Sequence, residues 1–261
     1  MIIKNPDGTQ TYLETAGDPA GEAVILLHGI GADHKMWEEQ IDFLTAHGFY
    51  LIMPDLLGHG RSSRVSSLSL SDWKKQLDSL FIPLDIQQVI IIGVSMGGVI
   101  AQYYAVQEPA RINKLVLADT FGQLVTFLER ILGYSQIFGY HLFKLVGKKA
   151  LSKGMASAYK APFASRAKTY FQHCALQADF SQLILARKAI NKIDAIGKIP
   201  GKSIPTLVMV GDQFGPSFIR INRKIANSIP GAKFVILENA MDPSNLVNPD
   251  RFNQELEQFL R

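Results

Sequence analysis

A serine at a tight turn is the residue in this chain with the clearest capacity for chemistry. Ser95 stands in the motif Gly93-x-Ser95-x-Gly97, after the apolar run 89–92 and before a segment with helical character. A buried strand that turns sharply into a helix holds such a serine in a strained position with its hydroxyl outward, and the helix start favours negative charge. The motif predicts a nucleophile, and an ordinary tight turn is the alternative interpretation.

The elements that must position Ser95 are short apolar strands alternating with amphipathic segments. Ser69 and Asp72 have the spacing of a capping box and predict a helix through Leu80. This alternation predicts an α/β fold with a doubly wound, mostly parallel sheet. The predicted strands lie at 9–15, 23–27, 50–55, 89–92, 114–119, 204–211 and 233–237, and the predicted final helices at 217–228 and 249–260.

The pattern changes after residue 120, where strands vanish and helical segments continue to about residue 193. We therefore divide the chain into an α/β core of residues 1–120 and 196–261 and a helical cap of residues 121–195. The segment from 121 to 132 is apolar around most of a predicted helix, so it is buried or lines an apolar pocket. From it we assign Phe121, Leu124, Val125 and Leu128 to a substrate pocket.

The cap is strongly basic. Residues 121–195 contain eleven Lys or Arg and three Asp or Glu, although the whole chain carries a net charge of only +4. One interpretation is a solvated outer face of the cap helices. The other is an electrostatic funnel for an anionic substrate.

Composition excludes several classes of protein. With 261 residues and 47% hydrophobic content, the chain can bury one sizeable core. It has no apolar run long enough to span a membrane, no signal peptide and no basic run with interleaved aromatics, so we expect no membrane and no nucleic-acid partner. The single cysteine, Cys174, fits a cytoplasmic location, and we interpret it as a small buried hydrophobe rather than a thiol nucleophile.

Several further motifs resemble those of one enzyme superfamily. With the Ser95 turn, the chain resembles the α/β-hydrolase superfamily, in particular its small esterase, lactonase and haloperoxidase-like members. The resemblance implies a sheet of about eight strands with a helical cap inserted after the sixth. The motifs that carry it are His28-Gly29-Ile30-Gly31, Asp55 with Gly58-His59-Gly60-Arg61-Ser62, and the segment from Asn239 to Leu246.

The resemblance assigns Ser95 as the nucleophile and the backbone N–H groups of Ile30 and Met96 as donors to an oxyanion. It also places Gly29 and Met241 at the substrate pocket. His28 and His59 match structural positions of the family's loops rather than the catalytic base. The resemblance implies no metal and no cofactor.

The other two members of the family's triad are replaced. The family's histidine stands in Asn-Ala-Gly-His-x-Ser-Asn-Leu, where this chain has Asp242. Its acid stands three residues after the glycine that ends the seventh strand, where this chain has Phe214. Asp119 lies near an alternative acid position that some relatives use. Either natural divergence or deliberate redesign of a hydrolase scaffold would produce this pattern.

Three functions fit these residues. The first is an ester or lactone hydrolase with weak or absent ordinary activity, since a carboxylate is a poor base for a serine hydroxyl; His141 or His173 of the cap would be substitute bases. The second is proton abstraction by Asp242, with Phe214 stacking on the substrate and Ser95 donating a hydrogen bond. The third is noncatalytic binding. In each case the expected partner is a small apolar or aromatic molecule, and the sequence does not indicate an oligomeric state.

Overall fold

The chain forms one eight-stranded, mostly parallel sheet. The computed structural model describes residues 1–200 and 204–261, apart from the side chains at positions 127, 128 and 132. The strands follow the order β1-β2-β4-β3-β5-β6-β7-β8; β2 is antiparallel to β1 and β4, and the other neighbours are parallel. They are β1 Ile2–Lys4, β2 Gln10–Ala16, β3 Glu22–Leu27, β4 Phe49–Pro54, β5 Val89–Val94, β6 Ile112–Ala118, β7 Thr206–Gly211 and β8 Lys233–Leu237.

Helices cover both faces of this sheet, and a further set of helices follows β6 and precedes β7 in the sequence. Among residues 1–200 and 204–261, no helix combines the length and apolar content that crossing a bilayer requires. The helices are α1 Glu38–Ala46, α2 Leu70–Phe81, α3 Met96–Gln107, α4 Phe127–Val146, α5 Lys148–Ala158, α6 Ser165–Gln177, α7 Phe180–Ile190, α8 Pro216–Ser228, α9 Ser244–Val247 and α10 Pro249–Leu260.

The central strands are apolar on both faces because both faces are covered. In β5, Ile91 packs into a cluster with side chains of α2, α3 and α8, and its neighbours Ile90 and Ile92 pack into a cluster with α1 and α10. Since successive side chains of a strand point to opposite faces, a strand buried on both faces shows a continuous apolar run. This arrangement confirms the predicted doubly wound α/β fold.

The cap segment differs from its prediction at one end. The predicted helix from Phe121 is wrong for its first six positions, because α4 begins only at Phe127. Thr126 and Glu129 form a capping box that fixes this start. Helices α4 to α7 lie between β6 and β7, and the boundaries at 120 and 196 between core and cap stay a proposal.

Strand β1 was missed by the sequence analysis, since three residues at the start of the chain are too few to show alternation. The capping box at Ser69 and Asp72 is present at the start of α2. The strand predicted at 233–237 and the helix predicted at 249–260 have the observed bounds.

Candidate active site

The turn between β5 and α3 places Ser95 in a strained backbone conformation. Its φ is +56° and its ψ is −116°, a region that residues other than glycine seldom adopt. Gly93 and Gly97 permit this turn, since a β-carbon on Gly93 would lie 2.4 Å from the carbonyl oxygen of Gly97, and one on Gly97 would lie 2.0 Å from that of Leu27. The Ser95 N–H donates to Ala118 O at 2.9 Å, which ties the turn to the end of β6.

Asp242 is the side chain that meets Ser95. The Ser95 hydroxyl donates to Oδ2 of Asp242 at 2.9 Å. The loop that carries Asp242 follows β8 and is wedged against the end of β7, where a β-carbon on Gly211 would lie 2.3 Å from the carbonyl oxygen of Ala240. On the cap side, the hydroxyl of Tyr159 donates to the carbonyl oxygen of Asp242 at 2.8 Å. The structure therefore brings together the two residues that the sequence predicts to be catalytic.

Asp119 holds the neighbouring backbone. It follows β6, it is buried, and its φ is +49°. Its Oδ1 accepts the N–H of Gly211 at 2.9 Å, and its Oδ2 accepts the N–H of Ser244 at 2.7 Å. These two bonds link the ends of β6 and β7 to the start of α9, two residues after Asp242.

The surroundings of Asp242 make it a stronger base than an ordinary aspartate. Burial and the nearby charge of Asp119 raise the pKa of Asp242 well above its usual value. The hydrogen bond from Ser95 and the charge of Arg187 act in the opposite direction and are smaller effects. Burial also raises the pKa of Asp119.

The loop after β3 lies beside the serine and presents backbone donors. A β-carbon on Gly29 would lie 3.5 Å from Cβ of Ser95, so the two residues are in close contact. Within the described part of the chain, no acceptor is recorded for the N–H of Ile30 or for that of Met96, the first residue of α3. Two free backbone donors next to a serine hydroxyl suit the stabilisation of a developing oxyanion.

His28 keeps this loop in place and is neutral. Its Nε2 accepts the N–H of Leu56 at 3.0 Å, so the proton lies on Nδ1, which donates to the carbonyl of Gly29 at 2.8 Å. Burial lowers the pKa of His28, and it lowers the pKa of the neighbouring His59 to about 3. Both act as structural residues rather than as bases for Ser95.

The other histidines also lie apart from the serine. All six histidines belong to the described residues, and none forms a recorded hydrogen bond with Ser95. His34 bonds to the buried Asp55, His47 to Glu257, and His173 to Gln177, while His141 is exposed on α4. The sequence hypothesis of a cap histidine as substitute base has no contact in its support.

Cys174 is a packed thiol in α6. It lies against the cluster on the α1 and α10 face of the sheet, and burial raises its pKa to about 12. Such a thiol is protonated and unreactive at neutral pH. In residues 1–200 and 204–261, no group of three or more His, Cys, Asp or Glu side chains is arranged to hold a metal ion.

The residues assigned to the substrate pocket differ in how far they are exposed to solvent. The Phe214 ring packs against Phe218 with centroids 4.3 Å apart and is 45% exposed, and Val125 is 51% exposed. Phe121 and Met241 are partly buried against the core clusters. Leu124 is partly buried, and the side chain of Leu128 lies outside the described residues.

Two polar residues near the site were missed by the sequence analysis. Tyr159 holds the Asp242 loop, and the charge of Arg187, which is buried in α7, acts to lower the pKa of Asp242. Neither stands in a recognisable motif, and composition does not distinguish Arg187 from the ten other Lys or Arg of residues 121–195.

Two surface depressions, one beside Phe43 and one beside Phe81, contain none of the predicted site residues.

Comparison with known proteins places this geometry in a family. The family model of the alpha/beta hydrolase fold matches residues 22–249. An uncharacterised protein of Mycobacterium tuberculosis is 36% identical over 104 residues, which are 40% of this chain and 30% of that protein. The match to this relative thus spans less than a third of its length.

Two relatives match over the whole chain. The 3-oxoadipate enol-lactonase 1 of Acinetobacter baylyi is 22% identical over 100% of this chain and 97% of its own. A carboxylesterase structure from Nitrososphaera gargenis superposes with a TM-score of 0.87 at 21% identity, covering 100% of this chain and 97% of the other. At this identity the structural likeness concerns the fold. The family match over residues 22–249 shows that the chain belongs to the α/β-hydrolase superfamily.

Proposed function

We propose that the protein is a slow hydrolase of carboxylic esters or lactones, with Ser95 as nucleophile and Asp242 as its general base. The observation that carries this proposal is the hydrogen bond from the Ser95 hydroxyl to Asp242 Oδ2 at 2.9 Å. Nucleophile and base within hydrogen-bond distance are the minimum that acyl transfer requires. The names of the relatives, an enol-lactonase and a carboxylesterase, support the same substrate class.

In the proposed reaction, Ser95 Oγ attacks the substrate carbonyl as Asp242 takes the hydroxyl proton. The N–H groups of Ile30 and Met96 stabilise the oxyanion of the tetrahedral intermediate. Collapse of the intermediate breaks the bond to the leaving alcohol, which receives the proton from Asp242. A water molecule, deprotonated by Asp242, then attacks the acyl-enzyme and releases the carboxylic acid and Ser95.

The low basicity of a carboxylate explains why we expect the proposed reaction to be slow. An ordinary aspartate has a pKa of about 4, far below that of an imidazole, so it removes a serine proton poorly. Burial and Asp119 raise the pKa of Asp242 and reduce this disadvantage. Positioning by Asp119 and Tyr159 adds the benefit of a fixed geometry.

Hydrolysis of 4-nitrophenyl acetate tests the proposal. We expect slow turnover with a burst of 4-nitrophenol and an acetyl group on Ser95, detected by mass spectrometry of peptides. Ser95→Ala and Asp242→Asn should both reduce turnover by at least about 100-fold, the scale of general-base effects. Ser157→Ala and Asp250→Asn change exposed residues of the same types and serve as controls.

The pH profile provides a second readout. Because Asp242 acts in its ionised form, kcat/KM should rise with pH and level off, with a midpoint above the usual value near 4. Full activity in Asp242→Asn, or no acyl group on Ser95, would reject the proposal. Ligand-induced thermal stabilisation without turnover would instead indicate a binding protein.

The raised pKa of Asp242 favours a second candidate function, proton abstraction from a carbon acid. Ser95 would then be a hydrogen-bond donor to the developing anion rather than a nucleophile. The probe is 5-nitrobenzisoxazole, in which loss of the C–H proton to a base breaks the N–O bond. This function predicts that Asp242→Asn abolishes turnover, whereas Ser95→Ala retains most of it.

A further inference from the structure

Among the described residues, the guanidinium of Arg187 in α7 is buried without a counter-ion within 4.0 Å. Arg187 is 8% exposed. Its Nε donates to the carbonyl of Gly133 at the long distance of 3.4 Å, and in the described part of the chain it forms no ion pair. A buried charge without a partner is costly, since the lost hydration is not replaced. A buried polar group without a partner needs an explanation, and a bound ligand that supplies the partner is one.

Arg187 lies on the face of α7 that covers the site. Leu183, one helical turn earlier on the same face, lies over the loop after β3, since a β-carbon on Gly31 would be 3.6 Å from Leu183 Cδ2. This is the loop that presents the N–H of Ile30. Arg187 therefore stands one helical turn from a residue that contacts the loop beside Ser95.

Phe121 fixes the guanidinium from the core side. Its ring centroid lies 5.1 Å from Cζ of Arg187, at cation–π distance. Phe121 follows Thr120 in the chain, and the Thr120 hydroxyl donates to the carbonyl of Ser95 at 2.8 Å. The guanidinium is thus connected to the nucleophile through two consecutive residues at the end of β6.

A purely structural role as the counter-ion of Asp242 does not account for this arrangement. The two charges influence one another, but no ion pair is formed between them within 4.0 Å. The N–H groups at the end of the guanidinium have no recorded protein acceptor in the described residues. A guanidinium fork with free donors matches the two oxygens of a carboxylate.

We propose that Arg187 binds a carboxylate of the substrate, so that the preferred ester or lactone carries an anionic group besides the bond that is cleaved. The eleven Lys or Arg against three Asp or Glu in residues 121–195 would attract such a substrate to the site. The catalytic part of this inference rests on the proposed hydrolase function. The binding of a carboxylate by Arg187 does not depend on that function.

Two matched esters test the preference. They are 4-nitrophenyl hydrogen glutarate, which carries a free carboxylate, and its methyl ester, which is neutral. We expect wild type to favour the anionic ester by at least about tenfold in kcat/KM, the value of one good contact. Arg187→Met should remove most of this preference, and Arg187→Lys should retain part of it. A ratio that stays the same in Arg187→Met overturns the inference.

Lys188 provides a matched control on the same helix. It is exposed, and Lys188→Met removes the same unit of charge one residue along α7. If long-range attraction alone gave the preference, both variants would lower it alike, and the direct contact would be rejected. Loss in Arg187→Met alone supports the contact.

Binding of glutarate, measured by calorimetry, separates this inference from the proposed function. Wild type and Ser95→Ala should bind glutarate, and Arg187→Met should bind it at least about tenfold more weakly. That result without turnover of either ester would support the carboxylate site and reject the hydrolase. Turnover of the neutral ester with no glutarate binding to wild type would reject the carboxylate site alone. Thermal unfolding checks the fold of each variant, and Arg187→Gln, which also removes the charge, replaces Arg187→Met if the latter does not fold.

Discussion

The hydroxyl of Tyr159 donates to the carbonyl oxygen of Asp242 at 2.8 Å, so a residue just after α5 holds the loop that carries the proposed base. Tyr159 is buried and its ring stacks on Phe171 with centroids 5.6 Å apart. Burial raises the pKa of Tyr159, as does the nearby charge of Asp242, and its hydroxyl therefore stays protonated as a donor. The cap thereby contributes to the geometry of Ser95 and Asp242.

Tyr159→Phe should disturb this geometry without removing a reacting group. The partly buried carbonyl of Asp242 loses its donor, which should cost about 1 kcal/mol of unfolding free energy. We expect kcat for ester hydrolysis to fall about tenfold through misplacement of Asp242, with a smaller change in KM. Tyr134→Phe is the control, since Tyr134 is exposed on α4. Unchanged kcat in Tyr159→Phe would show that the hydrogen bond does not position the base.

Asp242→Asn should make the fold more stable at neutral pH. Because the pKa of Asp242 is raised in the folded state, the folded protein binds its proton more tightly than the unfolded chain. Wild type therefore loses stability as pH rises from about 4 through the folded pKa, and the amide removes this loss.

Thermal unfolding at a series of pH values measures this effect. We expect Asp242→Asn to raise Tm at pH 7 by about 2–4 °C, which corresponds to ~1 kcal/mol for a chain of this size. The difference from wild type should shrink as pH approaches 4. A variant that is less stable than wild type at pH 7 would indicate that the carboxylate stabilises the fold.

Asp242→His should increase ester hydrolysis. The imidazole has an ordinary pKa near 6.5 and is a better base for Ser95, a gain of about 100-fold or more. The charge of Asp119, which already acts on Asp242, should also favour the protonated form of the new imidazole. The triple variant Phe214→Asp, Met241→Gly, Asp242→His adds the acid position expected from the family. Kinetics with 4-nitrophenyl acetate compare the two, and activity no higher than that of Asp242→Asn in both would contradict the placement of the triad.

Gly97→Ala should destabilise the turn at Ser95. Its β-carbon would lie 2.0 Å from the carbonyl oxygen of Leu27, which is backbone and cannot move aside alone. We expect a loss of about 3 kcal/mol or more in unfolding free energy, together with loss of ester hydrolysis. Gly139→Ala in α4 is the control: its β-carbon meets no atom within 4 Å, and alanine should stabilise the helix by up to about 1 kcal/mol. Equal stability of the two variants would contradict the close approach at Gly97.

The fold was predictable because its signals are local. An apolar strand, a capping box at a helix start and a glycine in a turn are each visible in a few consecutive residues. The bounds of β8 and α10 agree with their predictions. Ser95 was found for the same reason. The start of α4 was misplaced because an apolar run outweighed the cap formed by Thr126 and Glu129.

The site was less predictable because its parts are distant in sequence. The contact of Ser95 with Asp242 was expected from the family pattern, but the bond from Tyr159 spans 83 positions and has no motif. Burial of Arg187 depends on how α7 packs on the core, which composition does not reveal. The 45% exposure of Phe214 and its contact with Phe218 likewise depend on tertiary packing, which its place after β7 does not reveal.

The two ends of the segment that carries α4 to α7 lie side by side. Gln123 and Asp194 form an isolated antiparallel bridge, and the N–H of Ala195 donates to the carbonyl of Gly122 at 2.9 Å. The chain thus leaves the sheet after β6 and returns to it before β7 at neighbouring positions. An insertion attached in this way can be lengthened, shortened or exchanged during evolution while the strands keep their register. New substrate preferences can arise there with Ser95 unchanged, provided that each replacement supports the loop that carries Asp242, as Tyr159 does here.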